Sequence, residues 1–421
     1  MAAQLTAASH AHGAEGIPGA ESLATPAARS ALIRLCAAAV VAYCSYAICR
    51  LPLLPLFAHE LGAGPSLVGL VMGASTLTGI FVKLPAGALS DLFGRRRLLL
   101  AGALVFASMP FTYLGVSTLA LLIVLRFLHG SATAMFGPVA SASLSDIAPP
   151  ASRGAWLSMY STAQGAGQAL GPVIAGYLIA AGRFDLAFVT AGIIGLGVPL
   201  IVAGVGGTPV ATSKPSSWPE FKRGVIEVGR DRLVLVTSAA QAAQFVLNGT
   251  LSAFLPLYGR EVLGLTAAQL GWLFAVQTLT TLAVRPAIGL LSDRAGRRWV
   301  IVTGLTICSL AVFSLSLAST AAAVVAAVIV YAAGVATTTA ATAAYITDVT
   351  RRARYGAAHG VFGTIYDVGD ALGPIAAGFL VVAVGYSRMF QIMAAVALAM
   401  AVAFAMTARS HASGPREMVT L

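Results

Sequence analysis

Charge is scarce in this chain of 421 residues: only 10% are Asp, Glu, Lys or Arg, against about 25% in soluble domains. So few charges cannot keep the surface of so long a chain polar in water. Acids are the scarcer sign, 15 against 26 Lys and Arg. The four cysteines (Cys36, Cys44, Cys49, Cys308) lie in apolar stretches without metal-ligand spacing, so free thiols are expected and no metal site is. No nucleophile elbow or phosphate loop appears, so an enzyme is not expected, no cofactor is implied, and nothing suggests a primary pump. Alternation over segments of about ten residues is lacking, which speaks against a β-barrel. The first residues lack a basic stretch followed by an apolar core, so no cleavable signal peptide is expected.

What is present is apolar: 58% of residues, with a mean hydropathy of +0.87. Runs of about 20 apolar residues, the length a helix needs to cross a bilayer, recur along the chain. They predict spans near 36–57, 66–88, 98–115, 119–143, 155–180, 187–206, 233–256, 267–289, 299–317, 321–345, 357–382 and 387–408. The expected organisation is a disordered tail over 1–30, a six-helix bundle over 31–206, a linker over 207–232, a second bundle over 233–408 and a tail over 409–421. Of the 26 Lys and Arg, Arg183, Arg260 and Arg388 fall in loops on one side, and Arg50, Lys83, Arg126 and Arg285 fall within spans. The other 19 lie on the side that carries both termini, which the positive-inside rule makes cytoplasmic. The net charge of +11 then faces an anionic leaflet, and no nucleic-acid partner is required.

The sequence repeats. At an offset of 202, the distance from Gly87 to Gly289, the segment Gly87-Ala-Leu-Ser-Asp91-Leu-Phe-Gly94-Arg95-Arg96 falls on Gly289-Leu-Leu-Ser-Asp293-Arg-Ala-Gly296-Arg297-Arg298. The same offset carries Ala169-Leu-Gly171-Pro172 onto Ala371-Leu-Gly373-Pro374, Asp146 onto Asp348 and Lys83 onto Arg285. Internal repeats of this kind mark secondary transporters, with the substrate site at the repeat interface. The loop Gly87 to Arg97 resembles the G-x-L-S-D-x-x-G-R-R-R motif of the major facilitator superfamily, and the resemblance spans almost the whole chain. It implies an all-α integral membrane protein of twelve transmembrane helices in two pseudo-symmetric six-helix bundles that rock about a central cavity. It further implies an inner latch, in which Asp91 (with Gly87, Gly94 and Arg95) meets helix eleven and the repeat residues Gly289, Asp293, Gly296 and Arg297 act alike.

Helix five carries Gly167-x-x-x-Gly171-Pro172-x-x-Ala175-Gly176, which is similar to the motif of the drug:proton antiporter branch with one glycine replaced by Ala175. Pro52 and Pro55 resemble that branch's proline pair. Close packing alone also accounts for small residues in such helices, and helix eleven repeats the pattern from Gly369 to Pro374.

Ionisable groups within a membrane are costly and mark functional sites. Asp367 and Asp370, three residues apart, share a face of helix eleven. One expectation is that Lys83 pairs with one of them when the inner gate is closed and parts from it when the gate opens; the other is a permanent pair with Arg285. Arg126 with Gly130 resembles the family's helix-four R-x-x-x-G motif, whose arginine is linked to proton transfer, and His129 beside it either titrates or is a hydrogen-bonded bystander. Arg126, Asp367 and Asp370 are the candidates for proton coupling, and Arg50, Lys83 and Arg285 for substrate or gate charge. Four cations against two acids favour an anionic or zwitterionic substrate, unless the cations pair with the aspartates or snorkel. Gln164, Gln168, Gln241, Gln244 and Gln277 are candidate cavity groups or interhelical hydrogen-bonding groups.

The expectation is a monomeric secondary transporter of the inner (plasma) membrane that exports a small solute against protons. Its partners are then the solute, protons and the lipid bilayer. Proton-coupled uptake, passive uniport of an organic anion, and a non-transporting receptor or assembly factor remain open.

Overall fold

The computed structural model describes residues 25–205, 223, 226–350 and 354–408, and the side chains of 83–93 and 355–356 lie outside that description. The expected tail over 409–421, most of the tail over 1–30 and most of the linker therefore fall outside the described residues. So do the side chains of Lys83, Gly87 and Asp91, on which part of the gate and latch expectations rest.

The first half is built from α1 (Pro26–Arg50), α2 (Leu53–Glu60), α3 (Pro65–Phe93), α4 (Arg95–Thr112), α5 (Leu119–Ile147), α6 (Arg153–Ala180) and α7 (Phe184–Ala203). The second contains α8 (Arg232–Glu261), α9 (Ala267–Ala295), α10 (Arg297–Leu315), α11 (Ala321–Val349) and α12 (Tyr355–Thr407). Among the described residues nine helices are long and apolar enough to cross a membrane. Two further helices, α6 and α8, are as long but more polar, because they carry residues such as Gln168, Asn248 and Ser252 into the interior. Helix α12 is two spans joined at Gly385, whose φ of 79° breaks the helix, a conformation glycine adopts without steric cost. With α1 and α2 forming one broken span, the described residues make twelve crossings.

Helix α1 begins at Pro26, so residues 26–30, expected to belong to the tail, are its first turns. Hydropathy reads only the part of a helix that meets acyl chains, and here Thr25 caps the N-terminus by accepting from the amide of Ala28 at 3.2 Å. Pro52 has no N–H to donate, and the helix stops at Arg50 and restarts at Leu53. Turn chemistry repeats between the halves. Thr118 and Thr320 cap α5 and α11, and Gly94 and Gly296, at φ of 90° and 86°, make the tight connections into α4 and α10. At the linker end, Val228 packs with Val234, Ile346 and Phe362, and Glu227 pairs with Arg354.

Packing between the halves follows the repeat. Helix α3 lies against α12, and α6 against α9. A β-carbon on Gly69 would overlap the carbonyl of Pro374, and one on Gly271 the carbonyl of Pro172. Likewise Gly378 abuts Pro65, and Gly176 abuts Ala267. In each pair the partners exchange at the offset of 202, so the two interfaces are copies. All four glycines lie towards the face opposite the termini, hereafter the distal face. There Arg260 pairs with Glu60 at 3.5 Å, and His59 meets Glu261 at 3.7 Å. Surface pairs of this kind contribute about 0–1 kcal/mol each, so the backbone contact carries the closure. Replacing Gly271 with valine is expected to force the halves apart at about 1–3 kcal/mol. In vesicles, maleimide labelling of a Ser252→Cys reporter from the distal side should then rise. Gly154→Val, where nothing lies within 4 Å of an added β-carbon, should leave labelling as it was.

Candidate substrate cavity

A cavity of about 480 Å³ lies between the halves, within the size range of small-molecule sites. Its wall includes Tyr43, Tyr46, Arg50, Ser75 and Thr76 from α1 and α3, Gln168 from α6, Phe245, Asn248 and Ser252 from α8, Phe274, Gln277 and Thr278 from α9, and Tyr366, Asp367 and Asp370 from α12.

Three side chains on this wall converge on Asp370. Arg50 Nη2 donates to its Oδ2 at 3.2 Å, Thr76 Oγ1 donates to the same oxygen at 3.1 Å, and Asn248 Nδ2 donates to Oδ1 at 3.1 Å. The break at Pro52 makes Arg50 the last residue of α1, where its cation also complements the helix C-terminus. Oxygen Oδ2 is therefore held by the first half and Oδ1 by the second. Asp367, one turn earlier on the same helix, also lines the cavity and is 4% exposed. Phe245 and Tyr366 stack with centroids 4.6 Å apart.

Arg126 is fully buried behind this wall. It donates to Ser75 Oγ at 2.9 Å and to Tyr113 OH at 3.5 Å, and its guanidinium lies 5.5 Å from the centroid of the Tyr46 ring. Gly130 explains the spacing of its motif, since a β-carbon there would overlap the Ser75 backbone that α5 must approach. His129 Nδ1 is 3.1 Å from Tyr113 OH, while its Nε2 and Arg126 Nε are buried without partners among the described residues.

Several expectations change. Asp370 pairs with Arg50, not with Arg285, which makes no hydrogen bond or ion pair to a described residue and is absent from the wall. The pairing expected of Lys83 lies outside the described side chains. The cations do not concentrate on the wall: among its described residues Arg50 faces two aspartates, and Arg126 is sealed behind. Among the described wall residues there is no positive excess of the kind that favoured an anion, and the side chain of Lys83 lies outside them. Gln168 and Gln277 line the cavity, but Gln164, Gln241 and Gln244 do not. Gln241 donates to Gln244 at 2.9 Å and accepts from Thr342, and Gln244 donates to Tyr331 at 3.3 Å, so this pair is a buried network inside the second half. Helical spacing put these glutamines on a polar face but did not say which neighbour that face would meet.

Gly167 and Gly171 abut the backbone of α1 near Val40 and Cys44, so the helix-five motif serves close packing here. At the face bearing the termini, Arg95 pairs with Asp146 at 2.9 Å, and Arg297 pairs with Asp348 at 3.0 Å and Asp293 at 2.5 Å. The bonds that Asp293 and Arg297 make to described residues stay within the second half. Thr76, Asn248, Tyr46 and Ser75 were not anticipated; their positions in the repeat, Thr76 on Thr278 and Tyr46 on Asn248, were a signal that polar residues recur there.

A solute-sized polar cavity at the interface of two repeated helical bundles defines a membrane transporter rather than an enzyme. The sequence matches the family profile described as Major Facilitator Superfamily over residues 35–269 and 237–418, and the chain belongs to that family. It is 24% identical to an uncharacterised MFS-type transporter of Methanocaldococcus jannaschii over 348 residues, covering 82% of this chain and 89% of that one. It is 26% identical over 366 residues to multidrug resistance protein MdtG of Salmonella paratyphi C, covering 83% and 88%. The match to multidrug resistance protein MdtH of Aeromonas hydrophila, 27% over 244 residues, covers 56% of this chain and 58% of that one. In fold it is similar to a bacterial homolog of the human lysosomal transporter Spinster in an inward-facing, unoccupied conformation, with a TM-score of 0.74 at 17% identity covering 91% and 96%. A POT family transporter in complex with 5-aminolevulinic acid gives 0.75 at 13% identity, covering 89% and 95%. The protein is therefore a multi-pass membrane transporter of small molecules with multidrug resistance proteins among its relatives.

Because Arg50 and Asp370 are largely buried, removing one charge strands the other. Arg50→Leu and Asp370→Asn alone are each expected to lower thermal stability more than the double variant, with a coupling of about 1–3 kcal/mol. Melting curves of the purified protein in a double-mutant cycle check this; additive effects would mean that the pair is not coupled.

Proposed function

We propose that this transporter exports small solutes in exchange for protons, and that Asp370 carries the proton. The reading rests on one observation: the carboxylate takes two donors, one of them a cation, from the first half and a neutral donor from its own half. When the halves part on the distal side, the bonds from Arg50 and Thr76 break while that from Asn248 persists. Loss of the cationic partner removes an interaction that favours the charged form, and water reaching the cavity from the distal side supplies the proton. Return to the present arrangement restores Arg50 and expels the proton towards the opposite face. With the terminus-bearing face in the cytoplasm, as the distribution of basic residues favours, each cycle carries a proton inward and leaves the outward-facing cavity free to discharge solute. An inner-membrane location follows from the same orientation, and a single chain contains the whole site.

Asp367 remains a second candidate for proton transfer because it shares the wall, and the sequence-based pairing of Lys83 with it belongs to the same proposal. In this reading Arg126 acts through its contacts with Tyr46 and Ser75, both of which line the cavity. The names of the MdtG and MdtH relatives support export over uptake.

Proteoliposomes with an imposed pH gradient test the proposal, with lumenal pH followed as anionic, zwitterionic, cationic and neutral solutes are added. Proton movement triggered by a solute, and lost in Asp370→Asn, is the expected outcome. Solute flux without proton movement would make the protein a passive uniporter and return Asp370 to a structural role.

A further inference from the structure

The halves are registered to one another at close backbone contacts that recur at a single offset. Between the halves Gly69 on Pro374 mirrors Gly271 on Pro172, and within them Gly171 against Cys44 mirrors Gly373 against Val246. Each wall position of α1, α3 and α12 therefore has a geometric counterpart on α8, α9 and α6. Applied to the group around Asp370, the offset carries Arg50 to Ser252, Thr76 to Thr278, Asn248 to Tyr46 and Asp370 to Gln168. All four counterparts line the same cavity. The fold thus builds one quartet twice, once ionic and once neutral.

In the neutral copy Thr278 donates to the carbonyl of Phe274 at 3.0 Å, while two members have polar groups to spare. Neither Gln168 nor Ser252 hydrogen-bonds to a described residue, and Gln168 is exposed on the cavity wall. Next to Thr278, Gln277 also lines the cavity, and its Oε1 is buried without a donor. Buried acceptors are generally hydrogen-bonded, so this wall has acceptor and donor capacity that a bound solute can use. Its own side chains offer amide and hydroxyl groups and no charge, so an ion placed against them would depend on charges elsewhere on the cavity wall. Phe274 stands on the same wall, and the stacked Phe245 and Tyr366 provide an aromatic face within the same cavity.

We infer that Gln168, with Ser252, Gln277 and Thr278, forms the substrate subsite, and that it takes the uncharged, hydrogen-bonding head of an aromatic solute. The ionic copy around Asp370 is left to the proton, a division of labour that rests on the transport reading above.

Equilibrium binding to the purified full-length protein tests the subsite without requiring coupling. The probes are a matched series: N-acetyltyrosinamide (neutral), tyrosinamide (cationic) and N-acetyltyrosine (anionic). The neutral amide is expected to bind best, and Gln168→Leu to weaken it about tenfold or more. Gln164→Leu, on the same helix but off the wall, should leave it unchanged. Gln168→Glu copies the charge of Asp370 and should turn preference to tyrosinamide, a gain that misfolding cannot imitate. Failure of N-acetyltyrosinamide to bind at millimolar concentration, tighter binding of N-acetyltyrosine, or equal effects of Gln164→Leu and Gln168→Leu would overturn the inference. If binding follows the expected pattern while the pH-gradient experiment shows no proton movement, the coupling proposal falls and the subsite stands.

Discussion

A carboxylate at mid-membrane without donors would cost several kcal/mol, and three side chains meet that demand at Asp370. Two come from the first half and one from the second, so the group that must be satisfied is also a tie between the halves. Much of the local architecture follows from it. The break at Pro52 ends α1 where Arg50 can reach the cavity, α3 presents Thr76, and α8 carries Asn248 at the cost of its own hydropathy. The ion pair is stable only while the halves hold this relative position, which makes a local electrostatic bond sensitive to a global motion.

The distal closure supports that position by different physics. Within the bilayer there is little hydrophobic drive for helices to associate, so contact depends on how closely backbones approach. Gly69, Gly176, Gly271 and Gly378 each admit a neighbouring backbone. Exposed pairs such as Glu60 with Arg260 add little beside this. Glycine packing sets the distance, and the Asp370 bonds respond to it.

The duplicated quartet sets an ionic and a neutral group of side chains on one repeated geometry. Where the first half contributes Arg50, the second contributes Ser252; where the second contributes Asp370, the first contributes Gln168. Position is inherited from the repeat and charge is not. A group that must exchange protons needs an ionisable side chain with a partner that can leave, whereas a wall that must hold a neutral solute needs donors and acceptors without charge.

Much of the fold was legible in the chain. Spans, the repeat and the loop motifs follow from hydropathy and spacing, because a bilayer imposes length and apolarity on every crossing. Asp367, Asp370, Arg50, Gln168 and Gln277 stood out for the same reason, as polar groups in an apolar run. Their partners did not. Arg50 and Asp370 are 320 residues apart, and whether Asp370 would meet Arg50, Lys83 or Arg285 depended on how α1 and α12 rotate against each other. Gln241 and Gln244 looked like Gln168 in sequence yet face into their own bundle. Local sequence determines which residues must be buried in a membrane and roughly at what depth, since those depend on helix geometry alone. Which wall they join and which charges cancel is decided by side-chain packing between helices distant in sequence, and only the tertiary structure contains it.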